Sequence, residues 1–382
     1  MEQVSLVRCA DYDYAAVKAA VTEAVDLLGG MGAFVRPGQR ILLKPNLLAK
    51  AAPEQAVTTH PAVVEAVVEL VMQAGGRPVL ADSPGGPFTK GALTSVYRGC
   101  GLTAVAERTG AELNYDTSVA TVGHPGGKML KRLDLIKVVQ DVDAVITLPK
   151  LKTHLLTTFT GATKILFGVI PGLTKVNYHA RLDDLDQFSE MLIDILDVVK
   201  PVLNIMDGVM GMEGAGPRHG HPRPVGVLLA GANAAAVDAA ACSVVGCDPM
   251  LVQPLRAAVR RGYWDGRMES IHILGSRLED VALTDFQLPV TTGRRFFGNL
   301  PLLRPFIKKN FSPRPVPRAE VCTGCGTCME HCPGKAITIR EKKAVVDEKL
   351  CLHCYCCHEL CPSAAVALTF SPLGRLVRSL GG

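Results

Sequence analysis

Nine of the chain's thirteen cysteines fall between Cys322 and Cys361, and their spacing repeats. Cys322, Cys325, Cys328 and Cys332 stand ahead of Pro333, and Cys351, Cys354, Cys357 and Cys361 stand ahead of Pro362. Each run reads C-x2-C-x2-C-x3-C-P, with Cys351 lying 29 positions beyond Cys322. Thiolates at every third position of a tight loop can hold three corners of an iron–sulfur cubane while the fourth ligand comes from elsewhere. Pro333 and Pro362 have no N–H and a fixed φ, which turns the chain away after the last thiol. Gly324 and Gly326 let the backbone approach inorganic sulfide. A zinc ribbon needs only four ligands in C-x2-C pairs and leaves half of this set unexplained. A disulfide framework needs an oxidising compartment. Met1 to Ala10 shows neither an apolar h-region nor a twin-arginine pair, so a cytoplasmic setting is expected. Cys356, wedged between two ligands, reads as a bystander thiol.

From Glu320 to about Phe370 the chain resembles a bacterial-type two-cluster ferredoxin. In such proteins the last cysteine of each run ligates the other cluster. The resemblance therefore implies one [4Fe–4S] cluster on Cys322, Cys325, Cys328 and Cys361, and a second on Cys351, Cys354, Cys357 and Cys332. Ala336–Ile339 and Lys343–Val346 read as the strands of a hairpin between the runs.

The rest of the 382-residue chain is long enough for a large core of its own. A hydrophobic fraction of 48% and a mean hydropathy of +0.22 raise the question of a membrane span. The best candidate, Val225 to Cys247, is interrupted by Asn233 and Asp238 and divides into a strand (Val225–Ala230) and a helix from Ala234. Buried parallel strands with alanine-rich helices account for the hydropathy better, and no transmembrane span is expected. Thr291 to Arg318 carries Arg294, Arg295, Arg304, Lys308, Lys309, Arg314 and Arg318 without an acid, and five prolines forbid a long helix. It reads as a basic strap whose Phe296, Phe297, Leu300 and Phe306 suit packing on the large domain. Peripheral contact with a membrane surface, or with an acidic partner, suits the same residues. Nucleic acid is not expected. The expected organisation is an α/β domain over 1–290, a linker over 291–318, a cluster domain over 319–370 and a tail over 371–382.

Residues 1 to 290 alternate strand and helix signals, predicting an α/β layered fold with a mostly parallel sheet. Strands are expected at Ile41–Leu43, Pro78–Ala81, Ala144–Leu148 and Val202–Met206, and helices at Pro61–Ala74 and Arg181–Val199. In open α/β sheets the ligand crevice lies beyond the carboxyl ends of the strands. Here those ends carry Lys44 and Asn46, then Asp82 and Ser83, then Lys150, Lys152 and His154, then Asp207. One lysine at a strand end is usually just solvated, but four successive polar ends together suggest a lysine-rich pocket for an anion. The glycine-rich stretch from Gly208 to Gly216 is open to two readings, a close approach to substrate or a surface loop. It matches neither a Walker A loop nor a dinucleotide fingerprint. His60, His154 and His179 are candidate acid–base groups, and no helical H-x3-H spacing points to a further metal. Cys9, Cys100, Cys242 and Cys247 read as buried apolar thiols.

Lys44-Pro45-Asn46-Leu47, Val57-Thr58-Thr59-His60-Pro61, Ala81-Asp82-Ser83-Pro84, Pro149-Lys150-Leu151-Lys152-Thr153-His154, Thr160-Gly161-Ala162-Thr163-Lys164 and Gly214-Ala215-Gly216-Pro217 resemble the family called domain of unknown function 362. Members often carry a C-terminal two-cluster module, so the resemblance implies the fold and the clusters but no agreed reaction. Ile165 stands where asparagine is common, and His60 where an acid or amide is frequent, which makes His60 a specificity candidate. The function expected is an oxygen-sensitive oxidoreductase whose clusters exchange single electrons with the α/β domain. There Lys150, Lys152, His154, Lys164 and His179 would act on a small anionic substrate contacted by Lys44, Asn46, Thr59, His60, Asp82, Ser83 and Asp207. The alternatives are an electron carrier or assembly factor whose α/β domain docks a redox partner protein, and a non-redox transferase or isomerase with structural clusters.

Overall fold

The computed structural model describes residues 1–182, 184–289 and 312–372, apart from the side chains of His179 and Ala180. The chain divides into two compact units, the larger built from Met1–Lys175 and Asp184–Pro289. Its strands are β1 (Glu2–Arg8), β2 (Arg40–Pro45), β3 (Arg77–Leu80), β4 (Glu112–Leu113), the hairpin β5 (Val119–Gly123) and β6 (Arg132–Ile136), β7 (Ala144–Leu148), β8 (Lys150–His154), β9 (Thr158–Thr160), β10 (Leu203–Glu213), β11 (His221–Gly231) and β12 (Ile271–Gly275). The helices are α1 (Tyr14–Asp26), α2 (Pro61–Gln73), α3 (Lys90–Gly99), α4 (Leu102–Thr109), α5 (Ala162–Ile165), α6 (Thr174–Arg181), α7 (Leu185–Val199), α8 (Ala234–Val244) and α9 (Gln253–Arg260), of which α6 belongs to the larger unit only as far as Lys175.

One sheet runs β12-β1-β11-β10-β7-β2-β3-β4, with β8 on β10 and β9 on β8. The steps β10-β7-β2-β3-β4 are parallel, whereas β11 is antiparallel to both of its neighbours. This is the expected α/β architecture with a mostly parallel sheet. Apolar runs such as Ile41-Leu42-Leu43 vanish into the core because a parallel strand is covered on both faces. Side-chain caps start the helices: Asp13 accepts from Ala16 N–H, His60 from Ala62 N–H, Asp184 from Asp186 N–H and Asn233 from Ala235 N–H.

Three expectations change. The helix predicted over Arg181–Val199 starts at Leu185, because Asp184 caps it, and Thr174–Arg181 forms the separate α6. The strand predicted to end at Met206 runs on to Glu213, so Gly208 to Met212 is ladder, not loop, with a register shift between Gly208 and Met210. Asp207 therefore sits within a strand. β11 starts at His221, earlier than the predicted Val225. Pro222 and Pro224 are tolerated because β1 pairs with β11 only from Val227 onward, leaving one edge without a neighbour there.

The smaller unit pairs β13 (Arg314–Pro317) with β16 (Val366–Thr369), and β14 (Ile337–Arg340) with β15 (Lys343–Val346), both antiparallel. Short helices cover Thr327–Glu330 and Cys356–Leu360. Arg314–Pro317, expected in the strap, is thus a strand of this unit. Arg314 pairs with Glu348 at 2.6 Å, and Arg318 donates to the Ala364 carbonyl. The remaining strap, 291–311, and the tail from 373 onward lie outside the described residues.

Candidate functional site

In the larger unit the polar residues at the strand ends form ion pairs out of water. Lys44 closes β2, and its Nζ lies 2.7 Å from Asp82 Oδ1 just beyond β3; the two side chains are 1% and 3% exposed. The other Asp82 oxygen accepts from Leu47 N–H at 2.9 Å. Gly168 is required beside them, because a Cβ there would lie 2.1 Å from Asp82 Oδ1 and 2.5 Å from Lys44 Nζ. Burial pushes the Lys44 ammonium below its ordinary value, against the pull of Asp82.

A second pair is more elaborate. Lys150 Nζ donates to Asp207 Oδ2 at 2.8 Å and to Tyr12 Oη at 2.6 Å, while Tyr12 Oη donates to Asp207 Oδ1 at 2.7 Å. Asp207 Oδ2 also accepts from His60 N–H at 2.9 Å, and Met210 N–H donates to Tyr12 Oη at 3.1 Å. The His60 ring stacks on Tyr12 at 3.6 Å with an interplanar angle of 8°. Because His60 Nδ1 accepts the α2 capping bond at 3.2 Å, a neutral ring carries its proton on Nε2. Burial, with the Lys150 cation adding to it, pushes His60 down to about 4 against the Asp207 charge. Burial likewise lowers Lys150 and raises the Tyr12 hydroxyl.

The other expected residues are placed as follows. Thr59 Oγ1 accepts from Asn46 N–H at 2.9 Å and donates to the Leu148 carbonyl at 2.6 Å, tying the end of β2 to β7. Lys152 is buried, with Nζ donating to the Val57 carbonyl at 2.7 Å. His154 is buried and its Nδ1 accepts from Leu156 N–H at 3.1 Å, a local turn contact. Lys164 lies on α5, and His179 lies on α6 with its side chain outside the described residues. Ser83 is buried beyond β3, 2.9 Å from the Nζ of Lys175. Each of the two ion-paired lysines thus has its own carboxylate, so they form neutral pairs where the sequence suggested an open cationic pocket. Tyr12 and Lys175 escaped sequence reasoning, and Gly168 was noted only as part of the Phe167-Gly168 family motif. Tyr12 sits in a loop 195 residues from Asp207, and only the pairing of β1 with β11 gathers the chain there.

In the smaller unit the thiols gather in two recesses. Cys322, Cys325, Cys328 and Cys361 line one with Thr323, Gly324 and Ile339. Cys332, Cys351, Cys354 and Cys357 line the other with Pro333, Ile337 and Tyr355, and buried Cys356 lies at its wall. None of these cysteines is paired in a disulfide. Backbone N–H groups aim at three sulfurs: Ala344 at Cys322 (3.4 Å), Ala336 at Cys332 (3.2 Å) and Ala365 at Cys361 (3.2 Å). Such N–H···S bonds favour the thiolate form and tune a bound cluster. Burial, with the neighbouring thiols adding to it, pushes the Cys351 and Cys357 thiols up, so iron cations would supply the charge that makes their ionisation favourable. Gly324 has φ +68° and its Cβ would lie 2.4 Å from the Lys342 carbonyl, which ties the first loop to the hairpin.

A four-cysteine recess built from two such loops defines a ferredoxin-like [4Fe–4S] module, here fused to an α/β unit. Residues 321–365 match the 4Fe-4S dicluster domain, and residues 41–243 match the domain of unknown function DUF362. The chain belongs to the DUF362 family. A Synechocystis protein named as thylakoid-associated is 37% identical over 270 residues, covering 69% of this chain and 80% of the relative. The lactate racemase apoprotein of Thermoanaerobacterium thermosaccharolyticum aligns with a TM-score of 0.35 at 11% identity, over 54% of this chain and 50% of its own. A Thermotoga maritima protein solved as a structural-genomics target gives 0.34 at 14%, over 54% and 52%. These two overlaps, half of each solved chain, are too slight to bear on function. No described helix is long and apolar enough to cross a membrane.

Proposed function

We propose that this protein transfers single electrons through two [4Fe–4S] clusters, one on Cys322, Cys325, Cys328 and Cys361 and one on Cys332, Cys351, Cys354 and Cys357. A bound [4Fe–4S] cluster supplies reversible one-electron chemistry. The observation that carries the reading is the sorting of the eight thiols, in which each recess takes three cysteines from one run and the last of the other. The chain's own residues position the sulfurs, direct N–H groups at them and surround them with Ile337, Ile339 and Val366.

In the same reading the chain is a ferredoxin-fused oxidoreductase located in the cytoplasm. The α/β domain runs over 1–290 and the tail over 371–382, while the linker expected over 291–318 ends before Arg314, which opens the cluster domain; the strap suits peripheral membrane contact, in keeping with the thylakoid association named for the relative. Lys150, Lys152, His154, Lys164 and His179 serve a small anionic substrate, with Lys44, Asn46, Thr59, His60, Asp82, Ser83 and Asp207 around it. Tethering electron donor and acceptor in one chain raises their effective concentration. Turnover of candidate carboxylates with reduced viologen tests this; Lys152→Ala and Lys164→Ala variants with unchanged turnover would remove the assignment.

One observation favours a second reading. Lys44 and Lys150 are already neutralised by Asp82 and Asp207, so neither offers net charge to an anion. In that reading the chain is a carrier or assembly factor whose α/β unit docks a redox partner, and affinity capture with and without the basic residues of 291–318 separates the two.

A further inference from the structure

Ser83, placed above among the substrate contacts, meets Lys175 in the larger unit, and the electron-transfer reading gives that lysine no role. Ser83 is 2% exposed, and its N–H donates to the Gly168 carbonyl at 2.8 Å, which fixes the main chain beyond β3. Lys175, in the first turn of α6, is partly exposed along its stem while its Nζ turns inward. That Nζ lies 2.9 Å from Ser83 Oγ, 2.7 Å from the Ser83 carbonyl and 3.4 Å from the Pro84 carbonyl. Gly172 N–H donates to the same Oγ at 2.8 Å.

Counting hydrogens separates the two protonation states of the lysine. An ammonium would donate to all three oxygens, so Ser83 Oγ would receive two N–H bonds and its own hydrogen would find no acceptor among the described residues. A neutral amine donates to the two carbonyls and offers its lone pair to the Ser83 O–H, which places every donor. Burial favours the second arrangement, pushing Lys175 down to about 7, with the Lys44 cation adding and the Asp82 charge opposing. Those are the two charged groups that face it, and they pair with each other at 2.7 Å.

We propose that Ser83 and Lys175 form a nucleophile–base pair that accepts an acyl group from an ester. Activation of a hydroxyl by an adjacent amine is an established route to an acyl-enzyme. Because Lys44 and Asp82 cancel, no spare cation stands beside Ser83 for a doubly charged phosphoryl group, and a neutral carbonyl centre fits better. Ser83 Oγ bonds to the carbonyl carbon while its proton passes to Lys175 Nζ. The ester C–O bond then breaks, and Lys175 returns the proton to the departing alcohol oxygen. Water repeats the exchange, giving a proton to Lys175, releasing the carboxylic acid and restoring the Ser83 hydroxyl. The sum is hydrolysis without any redox change, so it proceeds whether or not the cysteine unit is loaded.

The test is a fluorophosphonate probe on the full-length protein, in which Ser83 Oγ displaces fluoride from phosphorus and the proton leaves through Lys175. One adduct per chain at Ser83 is expected, with a labelling rate that rises as pH passes about 7, and Ser83→Ala abolishes it. Lys175→Arg keeps a cation and its donors but cannot take a proton near neutrality, so labelling should fall by about 100-fold or more. In parallel, NMR of lysines labelled at Cε should show Lys175 of the unmodified protein titrating near pH 7. An adduct elsewhere, no adduct, an arginine variant labelled at the original rate, or a Lys175 ammonium that persists above pH 9 would each overturn the proposal.

Discussion

In the smaller unit, the eight thiols that face the two recesses come from two short runs of one residue type. In the larger unit, the Lys150 pair draws on Tyr12, His60 and Asp207, and its Tyr12–Asp207 bond spans 195 residues of sequence. A cubane's ligand geometry is local and invariant, so its spacing survives in the sequence as a motif. A buried lysine needs only a carboxylate from any strand that the topology brings near, so its partner leaves no spacing to read. The two units also handle charge differently: one gathers thiols for an external cation, whereas the other matches buried Lys44 and Lys150 each with an acid of its own.

The largest expected effect falls on the thiols. Cys328→Ser should reduce iron from about eight to about four per chain, with the far-ultraviolet signal of the α/β unit retained; eight irons in the variant would break the ligand sorting. Next comes the Lys150 pair. Asp207→Asn leaves a buried ammonium without its counter-charge and should cost about 3–5 kcal/mol in denaturant unfolding, far more than the double change Lys150→Met with Asp207→Leu. Iron content should not move in either, which sharpens the contrast between the units.

How much of this was legible in the sequence follows from the same contrast. The two cysteine runs and the β14–β15 hairpin were readable because every element is local, while the sorting of the last cysteine of each run was implied by the ferredoxin resemblance. Also readable were α2, announced by the amphipathic run from Pro61 to Ala74, and β7, announced by an apolar run. The second half of β10 was not, because Gly208 and Gly211 carry a loop signal, yet they lie in ladder register against β11. The strand-end lysines were found, but their neutralisation was hidden, since only the pairing of β2 with β3 and of β8 with β10 places Asp82 and Asp207 beside them. Lys175 had no signal at all, because the predicted helix began only at Arg181 and α6 was left unread.

Smaller effects probe the larger unit further. Gly168→Ala forces a Cβ against Asp82 and Lys44 and should cost about 1–3 kcal/mol, and an unchanged unfolding midpoint would contradict the close approach. His60 is held at about 4 in the folded state against about 6.5 unfolded, so unfolding takes up a proton between those values. Stability should therefore be full above pH 6.5 and fall as pH drops toward 4, by roughly 1–2 kcal/mol after allowing for partial exposure. His60→Asn, which keeps the cap, should flatten that slope. The smallest effect is expected at Arg314→Ala, whose exposed pair with Glu348 contributes about 0.5 kcal/mol or less.

The central claim is that the smaller unit holds two separate [4Fe–4S] clusters. Its most direct test is iron and sulfide quantification of the reconstituted full-length protein, with electron paramagnetic resonance after reduction. About eight irons and eight sulfides per chain, with the spectrum of two interacting spins, are expected; about four irons with a single isolated spin would contradict the account.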